Sequence, residues 1–243
     1  MESISILAFS DVHGKEDIVK FFVEDVIGKG LSFDFIIIAG DAGNPQKPWV
    51  FKNIIKIIGN LKKPVLYVKG NWDINLPEDE LSIDLDRHGP FIIDDFVIIG
   101  HGRKISPYNN ISSNKIRILV THYPPFSIMD RGKKLEAPYQ TPHSGLPEIN
   151  YLISHYKPHV HIFGHSHYFG GIDLKFKDIV YINVARLDRM TRNGQYIGNY
   201  AYIKIDRKAS VDVKWYFLNG VWRICTSCGK KVHLPASWSV CRK

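Results

Sequence analysis

No cysteine occurs before position 225, and the three that exist, Cys225, Cys228 and Cys241, fall within the last 19 residues. An odd count grouped in this way argues against a disulfide framework and for a joint task. No apolar run approaches the roughly 18 residues that a membrane helix needs. The longest candidates, FDFIIIAG and DFVIIGHG, are strand-sized. The N-terminal stretch MESISILAFSDVHG lacks a basic region and a cleavage site, so the expected location is cytoplasmic, with no membrane partner. Internal repeats and blocks of like charge are missing too, which excludes solenoids and charged tails.

What is present is an ordinary globular composition: 243 residues, 44% hydrophobic and 23% charged, enough for one sizeable core. Lys and Arg number 32 against 24 Asp and Glu, a formal charge of +8. Such an excess is either a solvated surface or an attraction for phosphate-bearing ligands, and charge alone does not separate the two.

Strand-like runs recur as SISILAF, DFIIIA, PVLYVK, FVIIG, IRILV, HVHIF, DIVYIN, YAYIKI and VDVKWYF. Between the early ones, KEDIVKFFVEDVIGK and WVFKNIIKIIGNL repeat apolar residues at intervals of three and four, the helical period. Alternating strand and helix predicts parallel βαβ units, and the strand-rich last third predicts antiparallel pairing, so the fold class is mixed α/β. Periodicity fails from Pro124 to Gly145, which reads as a long functional loop. Composition changes after Asn219, placing a catalytic domain at 1–218 and a cysteine-containing tail at 219–243.

Five predicted strands end in polar groups. The blocks are DVHG with Asp11 and His13, GDAG with Asp41, GNWD with Asn71 and Asp73, THYPP with His122, and GHSH with His165 and His167. Residues two apart on an extended chain face the same way, so Asp11 with His13, and His165 with His167, can each approach one point. An Asp-x-His alone is as easily a helix cap. Five tips together are not, because ligands bind at the carboxyl ends of strands in open α/β sheets. Imidazole and carboxylate suit first-row ions such as Mn, Fe, Co, Ni or Zn, and the number of groups suits two ions with a shared carboxylate.

These five ordered blocks resemble the calcineurin-like metallophosphoesterase superfamily over about residues 4 to 206, and its phosphodiesterase branch in particular. The resemblance implies a two-layered β-sandwich of mixed sheets flanked by α-helices, with a dinuclear centre at one sheet edge. Carried over by position, Asp11, His13 and His167 are implied ligands of one metal, and Asn71, His122 and His165 of the other. Asp41 is the implied bridge. The chemistry implied is hydrolysis of a phosphoester by hydroxide formed between the two ions, with Asp41, Asn71, Asp73 and His122 as the catalytic set.

Trp72 departs from the pattern. Many relatives place a His there, which protonates the leaving group while the following acid orients it. An indole N–H is a donor without useful acidity. Its absence points to diesters or good leaving groups, as in relatives with Cys in that slot. Packing, or stacking of a nucleobase, are alternative uses of Trp72. A second departure is Asn183-Val184-Ala185-Arg186, where many relatives have Asn-Pro-Gly. His101 between glycines, His143 and Arg103 are candidate substrate contacts, with Arg131, Lys133 and Lys134 as further cations. His155, His159 and His161 read as ordinary structural side chains.

In the tail, CTSCG is a C-x-x-C knuckle followed by Gly, the start of a zinc ribbon. Either His233 completes a structural zinc site with Cys225, Cys228 and Cys241, or another molecule or further chain supplies the fourth ligand. Incidental thiols in a short hairpin are the plain alternative. Zinc ribbons bind nucleic acid or protein, so partners through the tail are conceivable. The expected function is hydrolysis of a nucleotide or nucleic-acid-derived phosphoester. A nuclease is the runner-up, and a scaffold like the retromer subunit of this fold is the reading from a different class.

Overall fold

The computed structural model describes residues 2–77, 79–102, 105–109, 111–112, 114–132 and 142–241. Two six-stranded sheets face each other. In the first, the order is β12-β11-β1-β2-β3-β4, formed by β1 Ser3–Phe9, β2 Phe35–Ala39, β3 Val65–Val68, β4 Ser82–Asp84, β11 Asn199–Asp206 and β12 Val211–Phe217. The second runs β5-β6-β7-β8-β10-β9, with β5 Phe91–Ile93, β6 Phe96–His101, β7 Ile116–Thr121, β8 Val160–Phe163, β9 Ile172–Phe176 and β10 Ile179–Asn183. The mixed α/β sandwich is therefore present, with β1, β2, β3 and β4 parallel in one sheet and β6, β7, β8 and β10 parallel in the other.

Alternation along the strands decides what lies where. Ile4, Ile6 and Ala8 of β1 face inward and meet Ile98, Ile118, Val120 and Ile162 between the sheets. Leu7 and Phe9 face outward, where helices α1 (Glu16–Gly28) and α2 (Val50–Ile58) cover them through Phe22, Val26, Phe51 and Ile55. Helix α4 (Pro147–Tyr156) covers the outer face of the second sheet with Ile149, Leu152 and Tyr156 against Val97, Ile99 and Leu119. Each interior strand is thus buried on both faces, which is why β2 and β3 read as unbroken apolar runs.

Three-residue β4 and β5 and four-residue α3 (Leu85–His88) are too short to give a periodic signal and are additions to the expected elements. Beyond β12, β13 (Gly220–Ile224) and β14 (Lys231–Pro235) form a separate hairpin, which docks on β12 where the Phe217 N–H donates to His233 Nδ1 at 3.1 Å. No helix among the described residues is long and apolar enough to cross a membrane.

Candidate metal centre

The carboxyl ends of β1, β2 and β3 meet those of β7 and β8 at one edge of the sandwich, laced by main-chain bonds. The N–H groups of Val12 and His13 both donate to Asp41 O at 2.9 Å, and Gly164 N–H donates to His122 O at 3.0 Å. Asp11, His13, Asp41 and His165 all adopt left-handed backbone, with φ of 57°, 52°, 54° and 63°. Asp and His enter that region more readily than most residues with a side chain, but it is uncommon even for them, and four such residues at one edge mark a locally strained backbone.

The glycines at this edge meet two different needs. Gly40, at φ 86°, supplies the turn expected of it, but it also leaves room for the His122 ring, which an added Cβ would strike. Gly70 has no positive φ; an added Cβ would strike the Asp41 carboxylate. The requirement there is close approach rather than a turn.

Asp41 is the best-defined member. Its Oδ1 accepts the Trp72 N–H at 2.7 Å, which aims Oδ2 between His13 Nε2 at 3.5 Å and His122 Nε2 at 3.3 Å. Asp11 is built likewise. Its Oδ2 accepts from Ser10 Oγ and from His165 N–H at 3.2 Å, while Oδ1 lies 3.1 Å from His167 Nε2. Asn71 Oδ1 is 3.0 Å from His122 Nε2, and the rings of His122 and His165 are 5.0 Å apart. Ligand atoms of Asp11, His13 and His167 all lie within 4.8 Å of one another, as do those of Asp11, Asp41 and His122.

These groups fit a divalent pair by more than proximity. His122 Nδ1 bonds to Ala39 O at 2.9 Å, and His13 Nδ1 to Asp188 Oδ2 at 3.1 Å, so in both rings Nε2 is the nitrogen left for the centre. A second hydrogen bond of this type fixes ring orientation in histidines that hold metals. Without metal, burial opposes charge on His13, but Asp188 and Asp41 outweigh it and raise its pKa to about 10. Burial likewise opposes charge on His122, where Asp41 prevails and raises the value to about 9. Burial disfavours the Asp41 anion too, yet the neighbouring imidazoles hold its carboxyl far below the usual range. Metal-free, His13 and His122 form imidazolium–carboxylate pairs from which a cation displaces protons, whereas burial, helped by the charge on His122, lowers His165 to about 4 and leaves it neutral.

Several expected roles need correction. Asp73, expected in the catalytic set, is buried and accepts the Gly43 and Gly70 N–H groups at 2.6 and 2.9 Å, so it braces the GDAG and GNWD loops. His101 points to the outer face of its sheet, where its Nε2 meets Tyr156 Oη at 2.9 Å and its ring stacks on Tyr108 and Tyr156. It is a packing residue, not a substrate contact. His161 is wholly buried rather than half-buried, and its Nε2 is 2.8 Å from Thr121 Oγ1. His233 is spent on β12 and faces Tyr216 and Trp222, away from the cysteines.

His143 is 3.0 Å from Asp130 and shares a cavity of about 450 Å³ with Arg131 and Phe169. The Arg131 carbonyl accepts from Ser166 Oγ at 2.8 Å, so that cavity wall is joined to the GHSH block. Trp72 is 39% exposed and sets its indole edge-on to His13, centroids 4.6 Å apart. Arg103, Lys133 and Lys134 lie outside the described residues.

Sequence reasoning missed Asp188 and Arg186. Asp188 is buried, holds His13 and Lys15 Nζ, each at 3.1 Å, and accepts from Arg186 Nε at 2.5 Å. Arg186 Nη1 lies 3.4 Å from His167 Nδ1, so the segment that departs from Asn-Pro-Gly backs two candidate ligands. The one sequence signal was that departure itself.

A convergence of this kind at the carboxyl edge of two facing sheets defines a class. The sequence matches the calcineurin-like phosphoesterase superfamily domain over residues 4–208, and the chain belongs to that family of metal-dependent phosphoesterases. No curated protein sequence matches it. Similar solved structures include TT1561 of Thermus thermophilus, with 16% identity over 86% of this chain and 97% of that one and a TM-score of 0.56. A dimetal phosphatase from Danio rerio shares 10% identity over 88% of this chain and 99% of that one, at a TM-score of 0.55. GAP50, the anchor in the inner membrane complex of Plasmodium, shares 12% identity over 99% and 91%, at 0.56. At such identities the likeness concerns the fold alone.

Proposed function

We propose that the chain is a dinuclear phosphodiesterase acting on a nucleotide or nucleic-acid-derived phosphoester. Asp11, His13 and His167 would hold one ion and Asn71, His122 and His165 the other, with the Asp41 carboxylate available to both. The observation that carries this reading is the position of Asp41 Oδ2, which faces both His13 Nε2 and His122 Nε2 at 3.5 and 3.3 Å. When bound, two divalent ions neutralise phosphoryl oxygens and bring water acidity toward neutral pH. Mn, Fe, Co, Ni and Zn all suit this donor set.

The protein's own contribution is position. Trp72 N–H and Asp188 fix the bridging carboxylate and the His13 ring before substrate arrives, so no reorganisation accompanies the reaction. Trp72 offers no acid to the leaving oxygen, which favours esters whose leaving group departs unprotonated. Its exposed indole at the mouth of the site is a surface on which a base can stack. The cavity beside His143 and Arg131 gives room for the remainder of the substrate.

Hydrolysis of an aryl phosphodiester and the matching monoester, with Mn added to purified protein, tests the reading. Faster diester turnover that disappears with chelator supports it. Bound metal without turnover of any ester points instead to a scaffold, the kind of role that GAP50 has by its description as an anchor. The basic charge together with the ribbon-like tail makes a nuclease the second reading. Binding to DNA and RNA that weakens steeply as salt rises would select it.

A further inference from the structure

The tail hairpin brings its three thiols into one cluster. Cys225 follows β13, and the knuckle turns back at Gly229, φ 69°, whose N–H donates to Cys225 O at 2.9 Å. Cys241 Sγ then lies 3.2 Å from Cys225 Sγ and 3.5 Å from Cys228 Sγ. The Cys241 N–H also points at Cys225 Sγ, at 3.2 Å, a contact that favours a thiolate. Sulfurs held about 2.3 Å from one tetrahedral zinc stand roughly 3.8 Å apart, so two sides of the triangle are only slightly shorter than in a filled site, and all three sulfurs lie within 4.8 Å of one another. Neutral thiols are weak donors and gain little from such a cluster.

We propose that Cys225, Cys228 and Cys241 bind one zinc ion through three thiolates, with the fourth position open on the exposed side, and that this ion seats the tail against the phosphoesterase edge. Cys225 is buried while Cys228 and Cys241 are partly exposed, which sets the direction of the open position. His233 is not the fourth ligand: its Nδ1 accepts the Phe217 N–H, which leaves the ring proton on Nε2, and its ring packs on Tyr216 and Trp222 apart from the three sulfurs. The seat is Trp238. Its ring packs on Phe217 with centroids 5.5 Å apart and lies 5.9 Å from the Arg189 guanidinium. Arg189 Nη2 donates in turn to the His167 carbonyl at 3.2 Å. Thr226 N–H donates to Ser239 O at 3.1 Å, and Arg223 Nη1 to Trp238 O at 2.7 Å, tying this turn to the knuckle. The chain of contacts thus runs from the cysteines to a candidate metal ligand in the other site. The zinc site itself does not rest on the phosphoesterase reading.

Titration of the metal-free full chain with Co(II) tests the proposal, because only thiolate ligands give a sulfur-to-cobalt charge-transfer band and the strand-tip groups are all nitrogen and oxygen. One equivalent should generate the band, and zinc should displace it. X-ray absorption of the chain with Mn filling the strand tips and one equivalent of zinc added should show three sulfurs and one lighter atom around the zinc. Cys228→Ser and Cys241→Ser should each lose the three-sulfur signature, while the unmodified chain keeps the test valid if either variant fails to fold. No band, a four-sulfur shell, or a mass lower by two hydrogens from a Cys225–Cys241 disulfide would overturn the site. Stripping the tail zinc should weaken Mn binding at the strand tips by up to about tenfold, the lower range for loss of an outer support. Unchanged Mn affinity would overturn the link through Trp238 and Arg189.

Discussion

The second sheet and its neighbours carry two groups of histidines with opposite fates. At the carboxyl edge, His13 and His122 sit against Asp41 and are pushed toward the cation, to pKa values of about 10 and 9. On the outer face, His161 meets the Thr121 hydroxyl and the rings of Phe163 and Tyr181, with no carboxylate beside it among the described residues, and burial drives it down to about 3. His101 is held by tyrosines, Tyr108 and Tyr156. Histidine density therefore does not make a metal site. Carboxylates aimed at the same point do, and so does a backbone strained to deliver them.

The largest effect is expected at the carboxylate shared by the first group. Asp41→Asn should lower Mn-dependent diesterase activity by about 10³-fold or more, the scale of a lost electrostatic stabiliser. Near-normal turnover would remove Asp41 from the centre. Trp72→His puts a proton donor beside the same group, and general acids typically contribute at least about 10²-fold. The ratio of monoester to diester turnover should then rise by roughly tenfold or more, and an unchanged ratio would show that the missing acid does not set preference.

His161 should also differ from His13 and His122 in the sign of its pH dependence. His161 has a folded pKa of about 3, below its unfolded value of about 6.5, so the unfolded chain binds the extra proton between those values. Its contribution is present above the unfolded pKa and is lost as pH falls, with a slope of about 1.4 kcal/mol per pH unit. His13 and His122 behave oppositely in the metal-free chain. Their contribution is complete below about pH 6.5 and disappears as pH rises through about 9 and 10. Urea midpoints of metal-free protein should therefore fall toward both extremes, and His161→Gln should flatten the acid side only. His101→Phe is the mildest change: Tyr156 Oη still accepts the Tyr108 N–H at 2.6 Å but loses its contact with His101 Nε2, a stability loss of about 1–3 kcal/mol, with turnover within about twofold. A large loss of activity would move His101 back to the substrate.

How far the sequence could be read follows the same division. The five strand-tip blocks were legible because each candidate ligand comes within four residues of the end of an apolar run. Their parallel strands then bring them to one edge. Asp188 was not legible, since its bearing on the site comes through a contact with His13, 175 residues away in sequence. His101 was misread because its glycine neighbour suggested a turn. An added Cβ at Gly100 would strike Leu85, so that glycine serves packing. Asp73 matched an acidic motif position, but its two main-chain donors are visible only when the GDAG and GNWD loops stand side by side. His233 failed for a reason of register: pairing with Trp222 turns it toward β12.

Anomalous diffraction from Mn-soaked crystals tests the central assignment most directly. Two peaks about 3.5–4 Å apart, one on each side of the Asp41 carboxylate, are predicted. A single peak, or a pair that leaves Asp41 outside the coordination of either ion, would contradict the account.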